Sequence, residues 1–186
     1  MNLNINLGGF NIRRKTTFYD IDVLASFLYV NREDLLKTNF SKIIISNITY
    51  KKIASPSCPK LIKESLNRLI DESFVKVEEI HIPSKTFDNY CFIMDYFNDK
   101  IISKSEAAAL ALAIKNKGML ACNDLSVFKE CIDKYDLEHI GSADIILLSY
   151  QKKLISKDEA LEIWNKMYSY RVPLPNKTFK EYLEYL

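Results

Sequence analysis

Apolar positions along this chain follow two rhythms. Short unbroken runs, Phe18-Tyr19, Ile43-Ile44-Ile45 and Met119-Leu120, read as strands, the second of them as one covered on both faces. Longer stretches between them repeat at helical spacing. Thr16 to Tyr19 predicts a buried strand ending at Asp20, and Ile21, Leu24 and Leu28, widened by Val23, Phe27 and Val30, predict a helix after it. Lys42 to Ser46 predicts a second strand, and Asn47 to Ile53 begins a helix that stops before Pro56. Pro59 suits the first turn of the next helix, whose face is Ile62, Leu66, Leu69 and Ile70. Val75, Val77, Ile80 and Ile82 alternate like a half-buried strand limited by Pro83.

The second half continues the alternation. Phe87, Cys91, Met94 and Phe97 form a helical stripe. Ser103 to Lys117 predicts a long helix stopped by Gly118. Met119 to Cys122 predicts a strand, Ser126 to Lys134 a helix, and Glu138 to Ile140 a brief strand. Helices over Asp144 to Lys153 and Ser156 to Tyr168 follow, the latter opened by the capping-box pattern Ser156-Lys157-Asp158-Glu159. Pro173 and Pro175 break the chain before a closing helix, Thr178 to Leu186. Strands alternating with helices imply an α/β fold in three layers, α/β/α, with a central parallel sheet flanked by helices. With 186 residues and no internal repeat, the chain reads as one domain, residues 1–186, in which 58–100 is expected as a helical insertion.

Composition narrows the function classes. Hydrophobic residues at 48% and charged residues at 27% describe a globular chain rather than a disordered one. A net charge of +2 provides no broad basic field for nucleic acid, although a local patch remains compatible with it. Cys58, Cys91, Cys122 and Cys131 form no CxxC pair, and only His81 and His139 offer imidazoles, which disfavours structural zinc. Free thiols in a reducing cytoplasm fit this spacing better than a disulfide scaffold. No signal-peptide pattern opens the chain and no apolar stretch is long enough to span a bilayer, so the expectation is a soluble cytoplasmic protein without membrane contact. Four glycines leave little material for a phosphate-cradling loop, and no GxSxG or HExxH pattern occurs.

Acidic residues stand where strands end or helices begin: Asp20 and Asp22, Glu106, and Asp124 after Asn123. Functional groups gather at the carboxyl ends of parallel strands. Carboxylates converging there without cysteine or histidine suit a hard cation, Mg²⁺ or Mn²⁺. Each residue also has an ordinary explanation. Asp22 suits a helix cap, Ser103-Lys104-Ser105-Glu106 is a capping box, and Asn123-Asp124 suits a turn or cap. A cap does not explain a second carboxylate, Asp20, at the tip of a buried strand. Arg13-Arg14-Lys15 reads as a solvated run, or as a phosphate contact.

Tyr19-Asp20-Ile21-Asp22-Val23-Leu24, the helix opening Ser105-Glu106-Ala107-Ala108-Ala109, and Cys122-Asn123-Asp124 together resemble the opening strand, internal acidic helix and acidic turn of PIN domains. The resemblance runs from about Thr16 to the end and is strongest over Ser103 to Leu186. It is a resemblance to a branch of small prokaryotic members, largely uncharacterised, near the toxin-like ones. It implies a metal-dependent endoribonuclease leaving 5′-phosphate ends, with Asp20, Glu106 and Asp124 holding Mg²⁺ or Mn²⁺ and Asp22 and Asn123 assisting. Arg13, Lys51 and Lys52 are the residues expected to hold the RNA backbone. An antitoxin protein and a second copy of the chain are the partners it implies. One departure counts against activity: Lys52 stands where the family places a glutamate, and a lysine cannot ligate a cation. The rival expectation is a catalytically impaired PIN-like module that binds nucleic acid or protein. Cys122 likewise replaces a threonine.

Overall fold

Phe18 and Tyr19 are neighbours in one strand yet enter opposite cores. That alternation organises the protein, whose computed structural model describes residues 12–97 and 102–185. A 3-10 turn at Ile12–Arg14 leads into β1 (Thr17–Tyr19), α1 (Ile21–Tyr29), α2 (Glu33–Asn39), β2 (Ile43–Ser46), α3 (Asn47–Ala54) and α4 (Lys60–Asp71). Then follow β3 (Val75–Glu78), α5 (Lys85–Tyr96), α6 (Lys104–Asn116), β4 (Met119–Ala121), α7 (Leu125–Tyr135) and β5 (His139–Ile140). The chain closes with α8 (Ser142–Gln151), α9 (Lys157–Ser169) and α10 (Phe179–Tyr185). The five strands described pair in parallel, in the order β3-β2-β1-β4-β5.

Tyr19, Ile43, Ile45, Met119 and Ala121 point into the larger core, completed by α1, α2, α4, α8, α9 and α10. Phe18, Ile44, Leu120 and Cys122 point into the smaller one, completed by α5, α6 and α7. Both faces of the strands are therefore covered, which is why they read as continuous apolar runs. The fold is the three-layer arrangement the alternation implies.

Three elements differ from expectation for identifiable reasons. Helix α2 has no counterpart in the periodicity, because Leu35-Leu36 gives a seven-residue helix only one apolar step. Strand β3 ends at Glu78, before Ile80 and Ile82. Residues 58–100, expected as a helical insertion, contribute α4, edge strand β3 and α5 in their described part. Ile62, Leu66 and Leu69 of α4 lie in the larger core, and β3 pairs with β2 from Val75 to Glu78. The segment is thus built into the sheet.

Helix α6 is buried along its whole run from Ala107 to Ala113. Its small side chains allow close approach to the sheet. The helix ends with Lys117 in the left-handed region at φ 49, not at Gly118. Glycine is needed at 118 for a different reason: a Cβ there would lie 2.5 Å from Phe18 Cε2 and 2.8 Å from the Thr16 carbonyl oxygen.

Candidate metal centre

From β1 the chain steps outward through β2 to β3, then returns across the sheet to β4, so the order reverses between β1 and β4. At such a reversal the connections leave in opposite directions and open a crevice at the carboxyl edge. Asp20 stands there. Its backbone N–H donates to the Ala121 carbonyl at 2.9 Å, fastening the end of β1 to β4. Its extended backbone makes it the N-cap of α1, and one carboxylate oxygen accepts the Asp22 N–H at 3.4 Å. The other oxygen, Oδ1, is buried and has no hydrogen-bond partner among the described residues.

Glu106 reaches the same edge because α6 runs back across the sheet into β4 and so begins at the strands' carboxyl ends. The expected capping box is formed: Ser103 Oγ accepts the Glu106 N–H at 3.2 Å, and Glu106 Oε2 accepts the Ser103 N–H at 2.7 Å. The cap fixes the carboxylate. Asp20, Asp22 and Glu106 each present an oxygen, and the three lie within 4.8 Å of one another.

Electrostatics follow from this crowding. At 2% exposure, burial pushes the Asp20 carboxyl up to about 7, with Asp22 and Glu106 adding to the rise and the Ile21 and Asp22 backbone N–H groups opposing it. Burial also raises Asp22, against the Lys52 ammonium, which lowers it; Glu106 adds to the rise. Burial drives the Cys122 thiol far up, helped by Asp20, Glu106, Asp124 and Asp144, so it stays protonated at neutral pH. The ligating atoms on offer are carboxylate oxygens alone.

Such a set fits Mg²⁺ or Mn²⁺. Around an octahedral ion with bonds of about 2.1 Å, ligand oxygens lie roughly 3 to 4.2 Å apart, a range the trio can reach with small side-chain adjustments. The orphaned Asp20 Oδ1 is the strongest sign, because a buried acceptor without a partner is costly and a cation would satisfy it.

The other expected residues fall as follows. Asp22, expected to assist, belongs to the trio, whereas Asp124 is exposed and outside it, its charge felt at Cys122. Asn123 Oδ1 accepts the Ser142 N–H at 2.9 Å and ties the end of β4 to α8. Lys51 and Lys52 are both exposed on α3, and Lys52 Nζ lies 3.4 Å from Ser105 Oγ. The Lys52 ammonium thus addresses Asp22 and Ser105. Arg13 precedes β1 and its charge acts on Lys152 at the end of α8, which puts it at the amino edge, away from the trio.

Two residues here had no part in the sequence expectation. Asp144 accepts the Gly141 N–H at 2.7 Å and the Tyr182 hydroxyl at 2.9 Å, joining α8 to α10 beside the end of β4. Gly141 followed three residues later by an acid is a helix-start pattern that could have marked it. Ser105 carried no signal beyond the capping box.

A family model described as PIN domain, DUF3368, matches residues 18–186. No curated protein matches the chain. Among solved structures, the chain is similar to VapBC2 from Rickettsia felis, crystallised with a DNA fragment from its promoter. The identity is 18% and the TM-score 0.46, covering 68% of this chain and 98% of that one.

Proposed function

We propose that this chain, which belongs to the PIN-domain family, is a Mg²⁺- or Mn²⁺-dependent phosphodiesterase acting on RNA. One observation carries the reading: Asp20, Asp22 and Glu106 converge at the carboxyl edge of the sheet, with a buried, unpartnered Asp20 oxygen among them. A divalent ion held there by Asp20, Asp22 and Glu106 would polarise a phosphodiester and lower the pKa of a bound water. Asp20 supplies a rigid ligand, pinned by its backbone bond to Ala121 and by its role as helix cap. Glu106 supplies a second, oriented by the Ser103 N–H. Asp22, exposed at the mouth of the trio, supplies a third from the first turn of α1. Asp124 stands exposed beyond the end of the neighbouring strand, and Asn123 assists indirectly, its Oδ1 holding that strand end to the start of α8.

RNA as substrate, 5′-phosphate products and an antitoxin or second-copy partner come from the family resemblance. The second reading, a binding module without catalysis, is favoured by Lys52 beside the trio. Incubation of a mixed single-stranded RNA with the full chain and Mn²⁺ separates the two. Cleavage abolished by chelator and by Asp20→Asn supports the nuclease. RNA retained intact yet bound supports the module.

A further inference from the structure

Lys52 is the feature of the site that a plain carboxylate cluster does not explain. Helix α3 packs against α6, and this brings Lys52 Nζ to 3.4 Å from the hydroxyl of Ser105, the residue preceding Glu106. Ser105 is itself fixed, 1% exposed and bonded to Ser103 Oγ at 3.0 Å. The ammonium therefore lies beside the trio, against the residue that precedes Glu106. An ammonium has three donors, and the Ser105 contact uses one of them. Lys52 remains exposed, so its other donors are open to solvent.

Charge balance points the same way. Fully ionised, as a bound cation requires, the trio carries three negative charges; less the one positive charge of Lys52, two are left, which a single divalent ion neutralises. Phosphoryl-transfer sites with two metals use the second ion to hold phosphate oxygens and developing charge. A lysine is a compact point charge suited to phosphate. We infer that Lys52 supplies the positive charge of a second cation, so that the site takes one divalent ion and grips the substrate phosphate between that ion and the Lys52 ammonium. This inference rests on the reading of the trio as a metal centre. It turns the departure at position 52 from a sign of lost activity into a working part.

Two measurements on the full chain test it. The first is Mn²⁺ stoichiometry by calorimetry and electron paramagnetic resonance. One equivalent is expected for the native chain and two for Lys52→Glu. Lys52→Gln is expected to keep one equivalent, bound about three- to tenfold more tightly, as removal of one unit charge near a divalent ion in a solvated rim implies. Two equivalents in the native chain, or unchanged affinity in Lys52→Gln, would overturn the inference while leaving the metal centre standing. No Mn²⁺ bound by the native chain would remove the metal reading and the inference with it. The second measurement is binding of a short single-stranded oligoribonucleotide to Asp20→Asn, with and without Lys52→Gln. Roughly five- to tenfold weaker binding, with the salt slope reduced by about one, is expected for a lost phosphate contact. Equal affinity and slope would contradict the phosphate role.

Discussion

Glu106 accepts the Ser103 N–H at 2.7 Å while presenting an oxygen within 4.8 Å of those of Asp20 and Asp22. One side chain thus closes a helix cap and completes an acidic trio. The cap and the ligand roles place different demands on it: the cap needs only an acceptor oxygen, whereas a cation needs the charge.

That difference is measurable. Glu106→Gln keeps an acceptor for the Ser103 N–H and should change unfolding free energy by less than about 1 kcal/mol, yet abolish tight Mn²⁺ binding. Ser103→Ala should cost about 1 kcal/mol of stability and weaken Mn²⁺ only modestly. Urea unfolding with parallel Mn²⁺ titration checks both variants.

Asp20 gives a pH dependence of defined sign. Its carboxyl is raised from 3.8 to about 7, so between those values the folded chain keeps a proton that the unfolded chain releases. Stability of the metal-free protein should therefore fall as pH rises across that window. Asparagine keeps a capping oxygen without the charge. Asp20→Asn should stabilise the metal-free protein by on the order of 4 kcal/mol above the window, and by little below it. Urea unfolding at the two extremes is the check; equal stability of the two proteins at high pH would contradict the buried charge.

Metal should close most of that gap. With Mn²⁺ at a hundred times its dissociation constant the native chain should gain about 2.7 kcal/mol, and chelator should remove the gain. Asp20→Asn should gain nothing. Thermal unfolding with and without Mn²⁺ reads both.

Gly118→Ala should destabilise the fold by about 1–3 kcal/mol, since the new methyl must displace the Phe18 ring and the Thr16 carbonyl. Lys117→Gly, which relieves the left-handed residue before it, should be neutral or slightly stabilising. Denaturant unfolding of the pair separates close packing from backbone conformation as the reason for glycine at 118.

Tyr182→Phe removes the hydroxyl bonded to Asp144 and should cost about 1.5 kcal/mol. Amide exchange should rise in α10 and at the start of α8 together, because this bond joins them. Exchange rising in α10 alone would contradict the link.

The strands were legible because both faces are buried: Ile43-Ile44-Ile45 and Met119-Leu120 have no solvent face to break the apolar run. Helix α6 was legible from its cap and its alanines. Helix α2 was hidden by its shortness, and although Val75 and Val77 alternate as a strand, nothing local records that this strand pairs with β2 and so builds 58–100 into the sheet. Asp20 and Glu106 stood out because carboxylates at strand ends and helix starts are positioned by the fold itself. Which further acid joins them was not legible. Asp22 and Asp124 each follow a buried strand end, and only the path of the chain beyond decides that Asp22 turns toward Glu106. Lys52 was visible as a departure, but its anchor at Ser105 depends on how α3 meets α6, which no local pattern records.

The most direct test of the centre is a crystal of the full chain soaked in Mn²⁺, examined by anomalous diffraction. A peak within about 2.4 Å of oxygens from Asp20, Asp22 and Glu106, absent from Asp20→Asn, is the expected result. Those three carboxylates well ordered in saturating Mn²⁺ with no anomalous peak between them would contradict a metal centre.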